Sequence, residues 1–327
     1  MKTFLLAIIF TGLLLPGLAQ EAKKEPPPIE LQFGFQLECP CQSFIGCLQN
    51  HSIPVFRTFK LGNNDNPIVF RDLDGKPVKT PAGYPMSVHY HVEPWDRVVP
   101  IQIRSGDSAW LDRAAQILYI LADLEAKNDL FMEMVWQNNY NRYRDDIKPF
   151  ESNGMIIYFE AESKKFDQAA VPIRQDLDLI LAPKLTDPGL ASLVLFMRNN
   201  SKQKILAAIH ESIVVLAATG QPALVEGKPF MVSMNKAKAL DTGQFIKEDQ
   251  SLQDLCSAFA KIQLPAGFYR LHWQVEVEYA DAGRKSFSSN ELWVYHGKYE
   301  ATKPVKENLK PRKAVPAQVQ NPDAVRD

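Results

Sequence analysis

The sequence predicts an α+β fold in which a small antiparallel sheet with a helix pair is followed by an antiparallel β-sandwich. Two observations lead to this prediction. Apolar and polar residues alternate in several segments between residues 29 and 103 and again after residue 155, which is the period of half-buried strands. Between these regions apolar residues recur at intervals of three and four, which is the period of an amphipathic helix.

The N-terminal strands come first. Ile29 to Leu37 alternates along its whole length, and Val69 to Leu73 leads into Asp74-Gly75, a dipeptide that favours hairpin turns. Val88 to Val92 and Val98 to Ile103 have the same two-residue period. These segments are predicted to form the small antiparallel sheet.

Two helices are predicted next. The first begins at Ala109, because Asp107 or Ser108 can cap it. Its apolar stripe consists of Trp110, Leu111, Ala114, Leu118, Leu121, Ala122 and Leu124. A break at Asn128-Asp129 precedes the second helix, which continues to about Asp146 and stops before Pro149 because proline cannot continue a helix. The apolar positions of this helix are Met132, Val135, Trp136 and Tyr140.

The rest of the chain is dominated by strand and turn signals. Met155 to Ala161, Leu193 to Phe196 and Ser212 to Ala218 each have the composition of a strand. The clearest strand is Phe268 to Tyr279, where six apolar residues alternate with polar ones. A strand of this length with one polar face indicates an antiparallel sheet. The segment Phe287 to Tyr295 is predicted to return beside it.

Three motifs in the C-terminal third resemble those of immunoglobulin- or fibronectin-type β-sandwich modules of secreted bacterial proteins. They are the strand and turn LVLFMRNNSKQKI, the strand entry Leu264-Pro265-Ala266-Gly267-Phe268-Tyr269, and the final strand Ser289-Asn290-Glu291-Leu292-Trp293-Val294. The resemblance covers Leu190 to Gly297 and implies a sandwich fold without implying an activity. Lys236 to Ala260 departs from it, since its spacing predicts a helical insertion.

The N-terminus has the features of a secretory signal peptide over residues 1–19. Lys2 supplies the positive charge, an apolar run extends from Phe4 to Leu15, and small residues precede the cleavage site after Ala19. The predicted organisation is therefore a signal peptide (1–19), a spacer (20–28), an α+β domain (29–165), a sandwich domain (170–298) and a disordered tail (299–327). The predicted location is extracytoplasmic, either periplasmic or secreted.

Composition restricts the partners. The net charge of −1 favours neither a nucleic acid nor an anionic membrane surface. No apolar segment of spanning length follows the signal peptide, so no integral membrane span is expected after cleavage. No cofactor motif is present, and a protein or an envelope polysaccharide is the expected partner.

The four cysteines are Cys39, Cys41, Cys47 and Cys256. In an oxidising compartment an even number predicts at least one disulfide, but four cysteines allow three pairings and the sequence does not choose among them. A local bridge from Cys47 to Cys39 or Cys41, with the remaining thiol bonded to Cys256, would join the N-terminal segment to the C-terminal domain.

His89, His91 and Glu93 form a candidate metal site. Side chains two residues apart lie on the same face of a strand, and two histidines with a carboxylate are a known ligand set for transition metals. The alternative is that both histidines lie on the solvent face while Val88 and Tyr90 pack inward.

The polar segment that contains Tyr140, Arg142 and Tyr143 is a candidate binding face. No complete catalytic motif is found, and sandwich modules usually present loops for contact. The leading hypothesis is therefore an exported, non-enzymatic binding or structural protein of the cell envelope or extracellular space. One alternative is a metal-binding protein or metal-dependent enzyme that uses His89, His91 and Glu93. Another is a secreted inhibitor or accessory subunit that presents sandwich loops.

Overall fold

The fold is described from a computed structural model of the chain. The described residues are 27–37, 44–53, 55–59, 68–79, 83–88, 100–113, 129–138, 150–161, 165–186, 189–234, 239–262, 264–281 and 283–297.

The described part of the chain is mostly β-strand. The N-terminal half contains β1 (Ile29–Gln36), β2 (Phe44–Asn50), β3 (Val55–Phe59), β4 (Ile68–Arg71), β5 (Ser87–Val88), β6 (Pro100–Arg104), β7 (Ser108–Arg113), β8 (Leu130–Asn138), β9 (Phe150–Glu151) and β10 (Met155–Phe159). The C-terminal half contains β11 (Leu177–Thr186), β12 (Gly189–Asn199), β13 (Ile205–Ala217), β14 (Leu224–Val225), β15 (Lys228–Pro229), β16 (Met231–Ser233), β17 (Phe245–Ser251), β18 (Gly267–Tyr279), β19 (Gly283–Ser288) and β20 (Leu292–His296). The described residues contain one α-helix, α1 (Leu252–Ala260), and one 3₁₀ turn (Gln168–Ala170).

Two eight-stranded mixed sheets form the body of the protein. Sheet 1 has the order β16-β13-β18-β20-β1-β2-β7, with β19 paired to β18. Sheet 2 has the order β17-β12-β11-β10-β8-β4-β5, with β9 paired to β8. Among the described strands each sheet contains one parallel pair, β1 with β20 and β10 with β11, and these pairs join the two halves of the chain.

The predicted fold class is wrong. The described segments of the predicted helix pair are the strands β7 and β8, and both sheets contain parallel pairs and strands from both halves of the chain. The structure is therefore a mostly β fold with two mixed sheets, and not a helix-covered sheet followed by an antiparallel sandwich. The boundary predicted near residue 170 falls between the paired strands β10 and β11.

Burial on both faces explains the wrong helix prediction for β8. Met132, Met134 and Trp136 belong to the core between the sheets, whereas Phe131 belongs to a cluster on the outer face of sheet 2. A strand that is covered on both sides is apolar on both sides, so its two-residue alternation is lost. The remaining apolar spacing then also fits a helix.

Other sequence-based predictions are confirmed. The strand predicted from Phe268 is β18, and its six alternating apolar residues are all buried. The hairpin turn predicted at Asp74-Gly75 is present, because Gly75 has a φ of 81° and its N–H donates to the Asp72 carbonyl. The helical insertion predicted over Lys236 to Ala260 is correct only at its C-terminal end, where α1 begins after the N-cap Ser251, because Phe245–Ser251 forms the strand β17. No helix among the described residues is long and apolar enough to cross a membrane.

The two halves of the chain are structural repeats of each other: repeat 1 comprises β1–β10 and repeat 2 comprises β11–β20. Read from β7, sheet 1 has the order β7-β2-β1-β20-β18-β13-β16, and read from β17, sheet 2 has the order β17-β12-β11-β10-β8-β4-β5. At each position of the two lists, one strand belongs to repeat 1 and the other is its counterpart in repeat 2. Each repeat therefore places three strands in one sheet and five in the other. Backbone hydrogen bonds repeat as well, since Gly106 and Gly243 donate equivalent bonds to the carbonyls of Asn50 and Asn199.

Two asparagines join the sheets in the same way. Asn153 Oδ1 accepts from the Phe33 N–H and its Nδ2 donates to the Phe33 carbonyl, both at 2.7 Å. Asn290 makes the same two contacts with Leu181 at 2.9 Å. The preceding residues, Ser152 and Ser289, each accept through Oγ from the backbone N–H of a tryptophan that lies 16 residues earlier in the chain. The repeats thus preserve the contacts that hold the two sheets together.

Candidate functional site

The outer face of sheet 2 carries an aromatic cluster that the segment after residue 165 covers. The cluster consists of Phe131, Tyr158, Phe166, Phe196 and Phe245. Phe166 is at its centre, with ring centroids 5.4 to 6.3 Å from those of the other four residues. The segment is held in place where the Asp129 N–H donates to the Lys165 carbonyl at 2.7 Å. This cover excludes water from the centre of the face.

A buried triad of Asp129, Tyr158 and Lys247 lies under this cover. The Tyr158 hydroxyl donates to Asp129 Oδ2 at 2.5 Å, and Lys247 Nζ donates to the Tyr158 oxygen at 2.5 Å. Lys247 Nζ is 3.5 Å from Asp129 Oδ2, and the Ala161 N–H donates to Asp129 Oδ1 at 2.9 Å. Asp129 is 1% exposed, whereas the Lys247 side chain is 24% exposed.

Aromatic rings surround the Lys247 ammonium. Its Nζ atom lies 4.5 Å from the Tyr158 ring centroid and 5.9 Å from that of Phe166, which are cation–π distances. Burial and the hydrogen bond to Asp129 raise the pKa of Tyr158 far above its ordinary value, so the phenol keeps its proton. The hydroxyl therefore lies between the amine and the carboxylate as a neutral donor and acceptor.

A second lysine lies farther along the same face. Lys184 Nζ is 2.9 Å from Glu160 Oε1 and 2.8 Å from Asp249 Oδ2. Burial lowers the pKa of Lys184, but the hydrogen bonds with Asp249 and Glu160 outweigh burial and the net shift is upward. Lys184 is therefore charged and paired with two carboxylates.

A buried ion pair lies at the opposite end of the face. Arg198 Nη2 donates to Asp178 Oδ2 at 2.6 Å, and both side chains are less than a tenth exposed. Asn200 Nδ2 donates to the same carboxylate oxygen at 2.6 Å. Arg198 Nη1 donates to the Gln168 carbonyl at 2.9 Å, which holds the 3₁₀ turn against the sheet. Removing one partner of such a pair costs about 3–5 kcal/mol, so this end of the face is rigid.

Beside this ion pair is a shallow cavity, largely open to solvent, with a volume of about 510 Å³. Its described lining residues are Gln168, Ala239, Leu240, Gly243, Gln244, Phe245 and Ile246, none of which is charged. Phe245 is 37% exposed and packs against Phe196 and Phe166. Gln244 Oε1 accepts from the Asp241 N–H at 3.0 Å, which fixes the orientation of its amide. The cavity thus combines an exposed aromatic ring with amide groups.

The outer face of sheet 1 provides an internal comparison. Its cluster contains Ile45, Cys47, Phe268 and Tyr295, and Tyr295 pairs with Phe268 as Tyr158 pairs with Phe131. Asp129 is the residue immediately before β8, and the equivalent residue before β18 in sheet 1 is Ala266. In sheet 1 the residue paired with Cys47 is Trp110, and at the equivalent position of sheet 2 the residue paired with Phe196 is Lys247. The equivalent face of sheet 1 therefore forms without the charged members of the triad.

The metal site and the binding face predicted from the sequence cannot be placed in the structure. His89, His91, Glu93, Tyr140, Arg142 and Tyr143 all lie outside the described residues. Within the described part of the chain, no group of three or more His, Cys, Asp or Glu side chains is arranged to hold a metal ion. Both assignments remain predictions.

Two of the four cysteines are described. Cys47 and Cys256 are buried and are not joined to each other, and Cys39 and Cys41 lie outside the described residues. Burial raises the pKa of the Cys47 thiol to about 12, which makes it a poor nucleophile for disulfide exchange. A disulfide that involves Cys39 or Cys41 remains a prediction.

Sequence analysis missed the triad and the cavity. Phe245, Lys247 and Asp249 alternate with Ile246 and Glu248, which is a strand signal, but the segment was assigned to a helical insertion. Asp129 was read only as part of a helix break. Comparison with known proteins adds no assignment, because no family model matches the chain and no curated protein matches it.

Proposed function

We propose that this chain is an exported, non-enzymatic binding protein that holds a neutral, hydroxyl-rich ligand, such as an envelope polysaccharide, in the cavity beside Phe245. The observation that carries the proposal is the lining of that cavity, whose described residues are uncharged and join a partly exposed aromatic ring to amide groups. Its volume lies in the range of small-molecule sites.

The chemistry of the lining favours a carbohydrate over an ion. An aromatic ring offers a flat apolar surface to the C–H face of a sugar, and the Gln168 and Gln244 amides can donate to and accept from hydroxyl groups. A charged ligand would find no opposite charge among the described lining residues. The Arg198–Asp178 pair supports the wall of the cavity through Gln168 and so reduces the entropy cost of binding.

Calorimetric titration with chitotetraose, cellotetraose and maltotetraose tests the proposal. At least one sugar should bind, and Phe245→Ala should weaken that binding about fivefold, since loss of a ring contact of this kind is worth about 1 kcal/mol. Tyr84→Ala is the matched control, because Tyr84 is an aromatic residue with 72% exposure on a different hairpin. Binding by none of the three sugars, or equal binding by the wild type and Phe245→Ala, contradicts the proposal.

A further inference from the structure

We propose that Lys247 and Asp129 condense to form an intramolecular isopeptide bond between Nζ and Cγ, a covalent cross-link that ties the edge strand β17 to the start of β8. This inference is independent of the ligand proposed for the cavity. It rests on the Asp129 triad, in which an amine, a carboxyl group and a bridging hydroxyl lie within 3.5 Å of one another under an aromatic cover.

The triad contains a direct path for the proton that must move first. The Lys247 ammonium donates to the Tyr158 oxygen, and the Tyr158 hydroxyl donates to Asp129 Oδ2. Moving one proton along each of these bonds converts the ion pair into a neutral amine and a neutral carboxylic acid. Asp129 is 1% exposed, and a charged pair taken out of water carries a desolvation cost that the neutral amine and acid do not.

The condensation then balances without another reactant. The amine lone pair attacks Cγ and forms the C–N bond, and the electrons of the C=O bond move onto Oδ1. The Ala161 N–H that donates to Oδ1 stabilises the developing negative charge. The C=O bond re-forms as the protonated Oδ2 leaves, and this oxygen takes a proton from nitrogen through Tyr158. The products are a secondary amide and one water molecule.

The outer face of sheet 1 argues against a purely structural role for the triad. It retains the tyrosine as Tyr295 but has Ala266 and Trp110 in place of the acid and the amine. The equivalent outer face therefore forms without the pair. The partly exposed Lys247 side chain also leaves a route by which the released water can leave.

The mass of the denatured wild-type protein tests the inference directly. The measured mass should be one water lower than the mass calculated from the sequence of the mature chain, whose first residue is identified by N-terminal sequencing. Trypsin should fail to cleave after Lys247, and tandem mass spectrometry should find a branched peptide that joins Lys247 to Asp129. A wild-type mass without the deficit overturns the inference whatever the variants do.

Two variants assign the deficit to one lysine. Lys247→Arg should restore the full mass. Lys184→Arg should keep the deficit, although Lys184 also contacts two carboxylates on the same face. Tyr158→Phe should restore most of the full mass because it removes the proton path. A water deficit that persists in Lys247→Arg would place the lost water elsewhere and also overturn the inference.

Discussion

Individual polar residues decide how the two sheets are held together and where chemistry is possible. Asp129 and Lys247 are far apart in the sequence, and their contact exists only because β8 and β17 lie in one sheet with the 165–171 segment across them. A sequence can indicate that each residue lies at the end or on the face of an element. It cannot indicate that an amine and a carboxylate will meet under an aromatic cover, because that depends on long-range strand order.

The asparagine bridges make a residue-scale prediction. Asn153→Ala removes two hydrogen bonds to the Phe33 backbone and leaves a strand N–H and carbonyl without those partners. We expect the free energy of unfolding to fall by about 2 kcal/mol, and Asn290→Ala to have a similar effect through Leu181. Urea denaturation measures both. Ser286→Ala, at an exposed position of β19, is the control, and a loss no larger than the control's in either asparagine variant contradicts the equivalence of the bridges.

At the scale of elements, the sequence was informative where a strand has one solvent-facing side and misleading where it has none. β18 alternates and was predicted correctly, since its polar face is partly exposed. β8 is covered on both faces and was predicted as a helix. β7 was also predicted as a helix start because Ser108 can act as a cap, but the segment pairs along β2 from Gln49 to Phe44. Pairing with a distant strand outweighed a local capping signal.

A glycine in β2 makes an element-scale prediction. A Cβ at Gly46 would lie 2.1 Å from Cζ3 of the buried Trp136 ring, so the facing sheet requires glycine there. Gly46→Ala should lower the free energy of unfolding by about 1–3 kcal/mol through overpacking. Gly267→Ala is the matched control, since it lies in a strand and its Cβ would meet nothing within 4 Å. Equal stability of the two variants in urea denaturation would contradict the packing of β2 against β8.

At the scale of the whole molecule, the protein consists of two repeats that exchange strands, and its candidate sites lie on the face of one sheet only. Periodicity revealed many of the strands but neither the repeats nor the parallel pairs, because matching positions such as Asp129 and Ala266, or Lys247 and Trp110, carry different residues and a local pattern does not report strand order. The equivalent face of sheet 1 has Trp110 and Ala266 at the positions of Lys247 and Asp129, and so lacks both the amine and the carboxylate. This difference makes the outer face of sheet 1 an internal control for any function assigned to the outer face of sheet 2.

Hydrogen–deuterium exchange measured by mass spectrometry, with and without chitotetraose, cellotetraose or maltotetraose, tests the central claim most directly. The cavity residues lie in 239–246 and at Gln168, and the equivalent segment of repeat 1 is 102–109. Binding in the cavity predicts slower exchange in peptides that cover 239–251 and 165–171, with no change in those that cover 102–113. Slower exchange in the repeat 1 segment, or no change in either segment with all three sugars, would contradict a binding site beside Phe245.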